Sequence, residues 1–274
     1  MAALNTSAHP IHTLRDHVLA LDAAMTLCLA QPKEKSVHRL RTTTRRIEGQ
    51  LAMLDLIPGI PEHEKLAVEA RRSLRKLRRS AGEVRDIDVQ LALIEESVPQ
   101  DADRQLRSDA RKLTASLERD RARSAKKLGK ILKRRQAELA LTLESLLESL
   151  EPNEDLALTA TRLTSLTQAW FRKNAPPEPS EGADDPDHLH AIRKVAKLAR
   201  YIAENGPQAA KTPRRLARSF EDLQQSGGEW HDWLVLADLA EDRLGAGSPL
   251  TREFRQRSRA SLAAYRRRLN RMEI

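Results

Sequence analysis

Aromatic residues make up only 3% of this chain, cysteine occurs once, and no apolar run approaches the roughly 20 residues that span a bilayer. Each shortage closes off a class of protein. Scarce aromatics remove the stacking platforms on which single-strand nucleic-acid binders depend. They also count against β-sheets, which favour aromatic and β-branched side chains. The lone thiol, Cys28, has no partner for an internal disulfide. Set in the apolar run Met25-Thr-Leu-Cys-Leu-Ala30, it reads as a core residue in a reducing compartment. The first residues lack the charged start and apolar core of a secretion signal, so the expected location is the cytoplasm, with no membrane association. No Gly-rich phosphate loop, nucleophile elbow or catalytic Cys–His arrangement occurs, and an enzyme is not expected. No His-x-x-x-His or Glu-x-x-His pair lies on one helix and cysteine is missing as a co-ligand, so no metal or other cofactor is expected either.

What remains is leucine, alanine and charge. Apolar residues reach 40% and charged residues 32%, with a net charge of +9. Such a chain can build a helix-on-helix core, and its basic balance predicts polyanionic partners. Helical periodicity interrupted at Pro, Gly and Asp/Asn clusters predicts about ten helices. They fall at roughly 8–31, 34–57, 61–81, 84–97, 100–149, 153–175, 186–205, 211–226, 229–244 and 249–273. The stretch over 100–149 is long enough to be expected to bend near Gly129 or to curve around a bundle.

A five-and-five count suggests duplication. Val37-His-Arg-Leu-Arg-Thr-Thr-Thr-Arg-Arg46 aligns with Leu189-His-Ala-Ile-Arg-Lys-Val-Ala-Lys-Leu198, superposing His38 on His190, Arg41 on Arg193 and Arg45 on Lys197. Gly82-Glu-Val-Arg-Asp86 aligns with Gly228-Glu-Trp-His-Asp232 in the same order. The expected architecture is all-α, with two pseudo-two-fold-related helical bundles around a central basic cavity. It forms one domain over residues 1–274, with halves 1–150 and 151–274 and a Pro-rich linker at 175–186.

Each half carries basic stripes. His38, Arg41 and Arg45 fall within about 60° on a helical wheel, opposite Leu40, Ile47, Leu51 and Leu54. His190, Arg193, Lys197 and Arg200 repeat the scheme against Ile192, Val195 and Ala199. Arg71, Arg72, Arg75, Arg78 and Arg79 oppose Leu66, Ala70, Leu74 and Leu77. Lys211, Arg214, Arg215 and Arg218 oppose Leu216, Phe220 and Leu223. Glu34, Glu48 and Glu69 lie nearby but outside the stripes. Like charges at i, i+3 and i+4 destabilise a helix by a few tenths of a kcal/mol per pair, so four such stripes point to a ligand. Arginine suits phosphate because its planar fork binds oxygens bidentately. Gly82 and Gly228 read as helix ends, placing Glu83, Asp86, Glu229 and Asp232 in the first turns of the next helices. His9, His12, His17 and His63 read as surface residues.

Val37-His-x-x-Arg-x-x-x-Arg-Arg46 and Gly82-x-x-Arg-Asp-x-Asp-Val89 resemble the CHAD family, the conserved-histidine α-helical domains. So do their second copies, Leu189-His-x-x-Arg-Lys-x-x-Lys197 with Arg200 and Tyr201, and Gly228-x-x-His-Asp232. Glu48, His231 and Leu234 depart from the pattern. The resemblance implies two bundles around a basic cavity that binds inorganic polyphosphate, association with polyphosphate granules, and partnership with a separate triphosphate-tunnel (CYTH) enzyme. Carried over by position, the ligand-facing residues are His38, Arg41, Arg45, Arg46, His190, Arg193, Lys194, Lys197 and Arg200. The arginines of the 61–81 and 211–226 stripes join them on the wheel argument alone. Two alternatives stand beside this: a nucleic-acid-binding helical protein, and a metal-dependent triphosphate or polyphosphate hydrolase using Asp86, Asp88 and Asp232.

Overall fold

The computed structural model describes residues 7–60, 63–99, 101–177, 186–207 and 209–272. Among them run eight α-helices: α1 Pro10–Ala30, α2 Glu34–Leu54, α3 Glu64–Ser97, α4 Arg104–Leu150, α5 Ala160–Asn174, α6 Pro186–Ala203, α7 Lys211–Leu244 and α8 Pro249–Leu269. The fold class is all-α, as the composition required. One small ladder interrupts it: β1 Ser7–Ala8 pairs antiparallel with β2 Leu158–Thr159, tying the start of the chain to the start of α5. The expected helix starts at 61 and 100, the end at 273 and most of the 175–186 linker lie outside the described residues.

The difference between ten helices and eight comes from two glycines. Gly82 and Gly228 end no helix, because α3 and α7 each run through them for 34 residues. A glycine inside a helix costs about 1 kcal/mol relative to alanine. An unbroken core stripe outweighs that cost in both helices. Leu74, Leu77, Ala81 and Val84 are buried across the first glycine, and Phe220, Leu223, Gly227 and Trp230 across the second. Glu83, Asp86, Glu229 and Asp232 therefore sit mid-helix, where the dipole argument made for them does not apply.

Helix α4 continues through Gly129 for 47 residues, or about 70 Å. Its length follows from serving two cores. Leu128, Leu132, Leu139, Leu143, Leu146 and Leu150 pack with α1, α2 and the first half of α3. Ala110, Leu113 and Leu117 pack with Ile94 of α3, with Trp233 and Leu236 of α7, and with Leu250 and Phe254 of α8. Cys28 is buried in the first of these cores, and burial pushes its thiol pKa up. His63 is also buried, beside Asp55, and the surface position expected for it is corrected.

A third core joins α6, α7 and α8, where Tyr265 stacks on Trp230 and donates a 3.0 Å hydrogen bond to the Leu189 carbonyl. A fourth brings α2 onto α5 and α6. Helices α2 and α6 approach closely at Gly49, where an added Cβ would stand 2.7 Å from Tyr201 Cβ and 3.3 Å from its carbonyl carbon. Backbone cannot yield there as a flexible side chain would. Gly49→Ala should therefore lower stability by about 1–3 kcal/mol, read as a lower urea midpoint. Gly129→Ala, with nothing within 4 Å of its new Cβ, should instead raise stability by about 0.5–1 kcal/mol. Equal shifts for the two variants would contradict this packing.

Candidate anion-binding cleft

A cleft of about 630 Å³ is lined by α2 and α6, with α3 and α7 contributing beside them. Helix α2 contributes His38, Arg41, Thr42 and Arg45, one helical face at i, i+3, i+4 and i+7. Helix α6 contributes Arg193, Lys197, Arg200 and Tyr201, one helical face at i, i+4, i+7 and i+8. Arg85 and Asp86 enter from α3, and His231 and Asp232 from α7. The opposite face of α2 is fully core, with Leu40, Ile47, Leu51 and Leu54 at most 1% exposed. Burial of that face fixes the rotation of the helix and aims its cations inward.

Lysine and arginine supply six lining cations against the carboxylates of Asp86, Glu96, Glu229 and Asp232, so the cleft is net positive. Several cations are held by acids that the sequence had placed outside the stripes. Arg41 Nη1 lies 3.2 Å from Asp86 Oδ1, and Arg85 Nη1 donates to Glu34 Oε1 at 2.7 Å. Glu48 is drawn between Arg45 at 3.3 Å and Arg78, which corrects the expectation that it stands apart. Arg200 reaches Glu204 at 2.6 Å and Glu221 at 2.9 Å.

Arg193 and Lys197 make no ion pair among the described residues. Arg193 Nη2 approaches His190 Nδ1 at 3.4 Å, while its Nε is buried with no hydrogen-bond partner, as is that of Arg45. Gly227 makes room for Arg193. A Cβ there would stand 3.2 Å from Arg193 Cδ and 2.8 Å from Tyr265 Cζ.

This crowding perturbs the titrating groups. Burial, then the neighbouring Arg41, Arg45 and Arg193, pushes Lys197 down to about 7. Burial, then Arg193 and His190, pushes His231 down to about 4. His38 and His190 are lowered by burial first and by nearby arginines second. Burial lifts Asp232 to about 6 despite the pull of Arg193. Lys197, His231, His38 and His190 thus lose charge more readily than in water, because low solvation and positive neighbours both oppose it. An incoming anion relieves both.

The remaining expected residues divide into three groups. Arg75, Arg78 and Arg79 line a second cavity of about 460 Å³ that shares Arg41 and Asp86 with the cleft. His190 and Lys194 sit at the margin; the His190 ring lies 4.7 Å from that of His231, and Lys194 is exposed. Arg46, Arg71, Arg72, Lys211, Arg214, Arg215 and Arg218 line neither cavity. Arg71 instead binds Asp55 at 2.5 Å. Arg218 shares the face of Gln225 and Asp232 on α7 but lies about two turns above the cleft. Asp86 and Asp232 face the cleft, whereas Asp88 is turned about 200° from Asp86 and is held by Arg121 Nε at 2.5 Å. The three carboxylates of the hydrolase alternative do not converge. Arg85, outside the expected stripes, lies two turns beyond Arg78 on one continuous face of α3, a relation that reading Gly82 as a helix end hides.

Residues 12–241 match the family profile of the CHAD domain. Solved structures share the fold, among them the following two. The CHAD domain from the plant Ricinus communis is 19% identical with a TM-score of 0.68, over 99% of this chain and 95% of that one. PptA from Streptomyces chartreusis is 14% identical with a TM-score of 0.60, over 96% of this chain and 98% of that one. At these identities the structural likeness establishes the fold alone. No curated protein matches the chain.

Proposed function

Since the chain belongs to the CHAD domain family, we propose that its cleft binds inorganic polyphosphate as a non-catalytic module. One observation carries this reading. Cations from α2 and α6, far apart in sequence, face one cleft in which Arg193 and Lys197 make no ion pair among the described residues. A linear chain of phosphates presents closely spaced charge with no bases to accommodate, and bidentate arginine contacts suit its oxygens. In this reading α2–α3 and α6–α7 are two copies of one unit, each with a cationic first helix and a glycine near the middle of the second. Association with polyphosphate granules in the cytoplasm and partnership with a separate CYTH-type enzyme belong to the same proposal.

Affinity built from many phosphate contacts should fall steeply with salt, with a log–log slope of about −0.7 per phosphate neutralised. Competition calorimetry tests the ligand's identity. Long-chain polyphosphate should remain bound when RNA or DNA is added at equal phosphate concentration. Displacement by nucleic acid would replace this reading with the nucleic-acid one. Sustained phosphate release from tripolyphosphate with Mg²⁺ or Mn²⁺, lost in Asp86→Ala, would make the protein an enzyme instead.

A further inference from the structure

Charge along α4 and the turn that follows it is sorted by sign. Residues 121–135 contain eight lysines and arginines and no carboxylate, whereas residues 136–155 contain six carboxylates and no lysine or arginine. Like charges at i, i+4 destabilise a helix and opposite ones support it, so this sorting works against α4 standing alone. One outward face carries both signs. Arg119, Lys126, Lys130 and Lys133 lie within about 60° on the wheel. Ala137, Leu141, Glu144 and Glu148 continue the same stripe. All eight are exposed, and the six charged ones make no ion pair among the described residues. The core stripe of Leu128, Leu132, Leu139, Leu143 and Leu146 lies on the opposite side, so packing does not call for them.

Apolar surface accompanies the acidic half. Leu141 is 65% exposed and Leu19 of α1 is 66% exposed. Leu19 lines a groove of about 450 Å³ between α1 and α4, together with Leu147, Glu144 and Glu148. A lysine-rich helix fits such a groove, because lysine stems cover apolar surface while their ammonium groups reach carboxylates. The other half of α4 is itself a helix face of that kind. We propose that this face of α4 is a self-association surface, on which a second copy lies antiparallel, each basic half over the other's acidic half. A two-fold axis over Ala137 sets Lys130 level with Glu144 of the second copy, Lys126 with Glu148 and Lys133 with Leu141. Ala137, the smallest side chain of the stripe, falls at the crossing, where the helices come closest. The interface is isologous, so every pair occurs twice. A long polyanion suits the face less well, since it would meet Glu144 and Glu148 after Lys130 and Lys133. None of these paired residues lines the cleft, and the association does not require its ligand.

Analytical ultracentrifugation of the whole chain, without polyphosphate, reads the association in about 0.03 M and about 0.5 M salt. The wild type should be a dimer at about 100 μM in the lower salt, and its dissociation constant should rise at least tenfold in the higher. Lys126→Glu/Lys130→Glu turns the basic half acidic, and Glu144→Lys/Glu148→Lys turns the acidic half basic. Each pair should weaken self-association at least tenfold. An equimolar mixture of the two variants should form a one-to-one dimer, since an acidic face then meets a basic one. The quadruple variant exchanges the two halves at the wild-type net charge and should regain the dimer. Lysine and glutamate are both good helix formers and all four positions are exposed, so circular dichroism should show every variant folded.

A wild type that stays monomeric at about 100 μM in low salt overturns the self-association surface. So does a dimer that both pairs leave intact, because its contact then lies elsewhere. Loss of the dimer in each pair, with no recovery in either the mixture or the quadruple variant, overturns the antiparallel pairing, since facing charges would restore it.

Discussion

Arg41→Ala combined with Arg193→Ala is expected to weaken long-chain polyphosphate binding by more than tenfold while leaving the helices folded. Arg41 reaches both cavities, and Arg193 faces the cleft from the opposite arm. A charge-assisted hydrogen bond contributes about 1.5–3 kcal/mol, so the loss of one such contact already amounts to a tenfold effect or more. Folding should survive because neither guanidinium supports the core. Among the described residues Arg41 pairs only with the exposed Asp86, and Arg193 keeps a buried Nε without a partner. Removing that unsatisfied group should leave the melting temperature unchanged or raised. Calorimetry and circular dichroism on the same preparations check both halves of the expectation. Undiminished affinity in a folded double variant would contradict the cleft as the site.

Lys197→Met is the second change with a large expected effect, and it acts in opposite directions on stability and binding. Lys197 is held down to about 7 in the folded protein against an ordinary value of 10.5. Between those two pH values the folded state binds fewer protons than the unfolded chain, so this group makes stability rise with pH across that window. Below pH 7 its full cost is present, at most about 5 kcal/mol. Methionine keeps the apolar stem and removes the charge. It should stabilise the free protein by about 2 kcal/mol or more at pH 6–7, with the gain shrinking toward pH 10. Polyphosphate affinity should fall in the same variant.

Binding should also depend on pH in the wild type. A bound polyanion favours the charged ammonium of Lys197, so binding takes up a proton above pH 7. Asp232, lifted to about 6 by burial, acts with the same sign on binding, because its neutral form repels phosphate less. Its effect on stability is opposite to that of Lys197: a raised folded value makes stability decline as pH rises from about 4 to 6. Affinity should therefore fall several-fold between pH 6 and pH 9. Calorimetry in buffers of different ionisation heat should register the proton uptake. A flat profile over that range would contradict this electrostatic picture.

The helix faces were legible in the sequence because their causes are local. Leu40, Ile47, Leu51 and Leu54 repeat at helical spacing, and their burial turns His38, Arg41 and Arg45 toward the cleft. Height along a helix was not legible. A wheel gives an angle, so Arg218 reads as equivalent to Gln225 although only the latter reaches the cleft. Gly82 and Gly228 misled for a related reason. Their local preference is to end a helix, and the core stripes that carry α3 and α7 past them depend on α4 and α8. That error hid Arg85. The ion pairs of Glu34 with Arg85 and of Glu48 with Arg78 join separate helices, and no spacing along one helix encodes them.

A crystal structure of the protein with long-chain polyphosphate bound would test the site most directly. Phosphate density should run between Arg41 and Arg45 of α2 and Arg193 and Lys197 of α6. Density lying instead along Lys211, Arg214, Arg215 and Arg218, with the cleft empty, would contradict it.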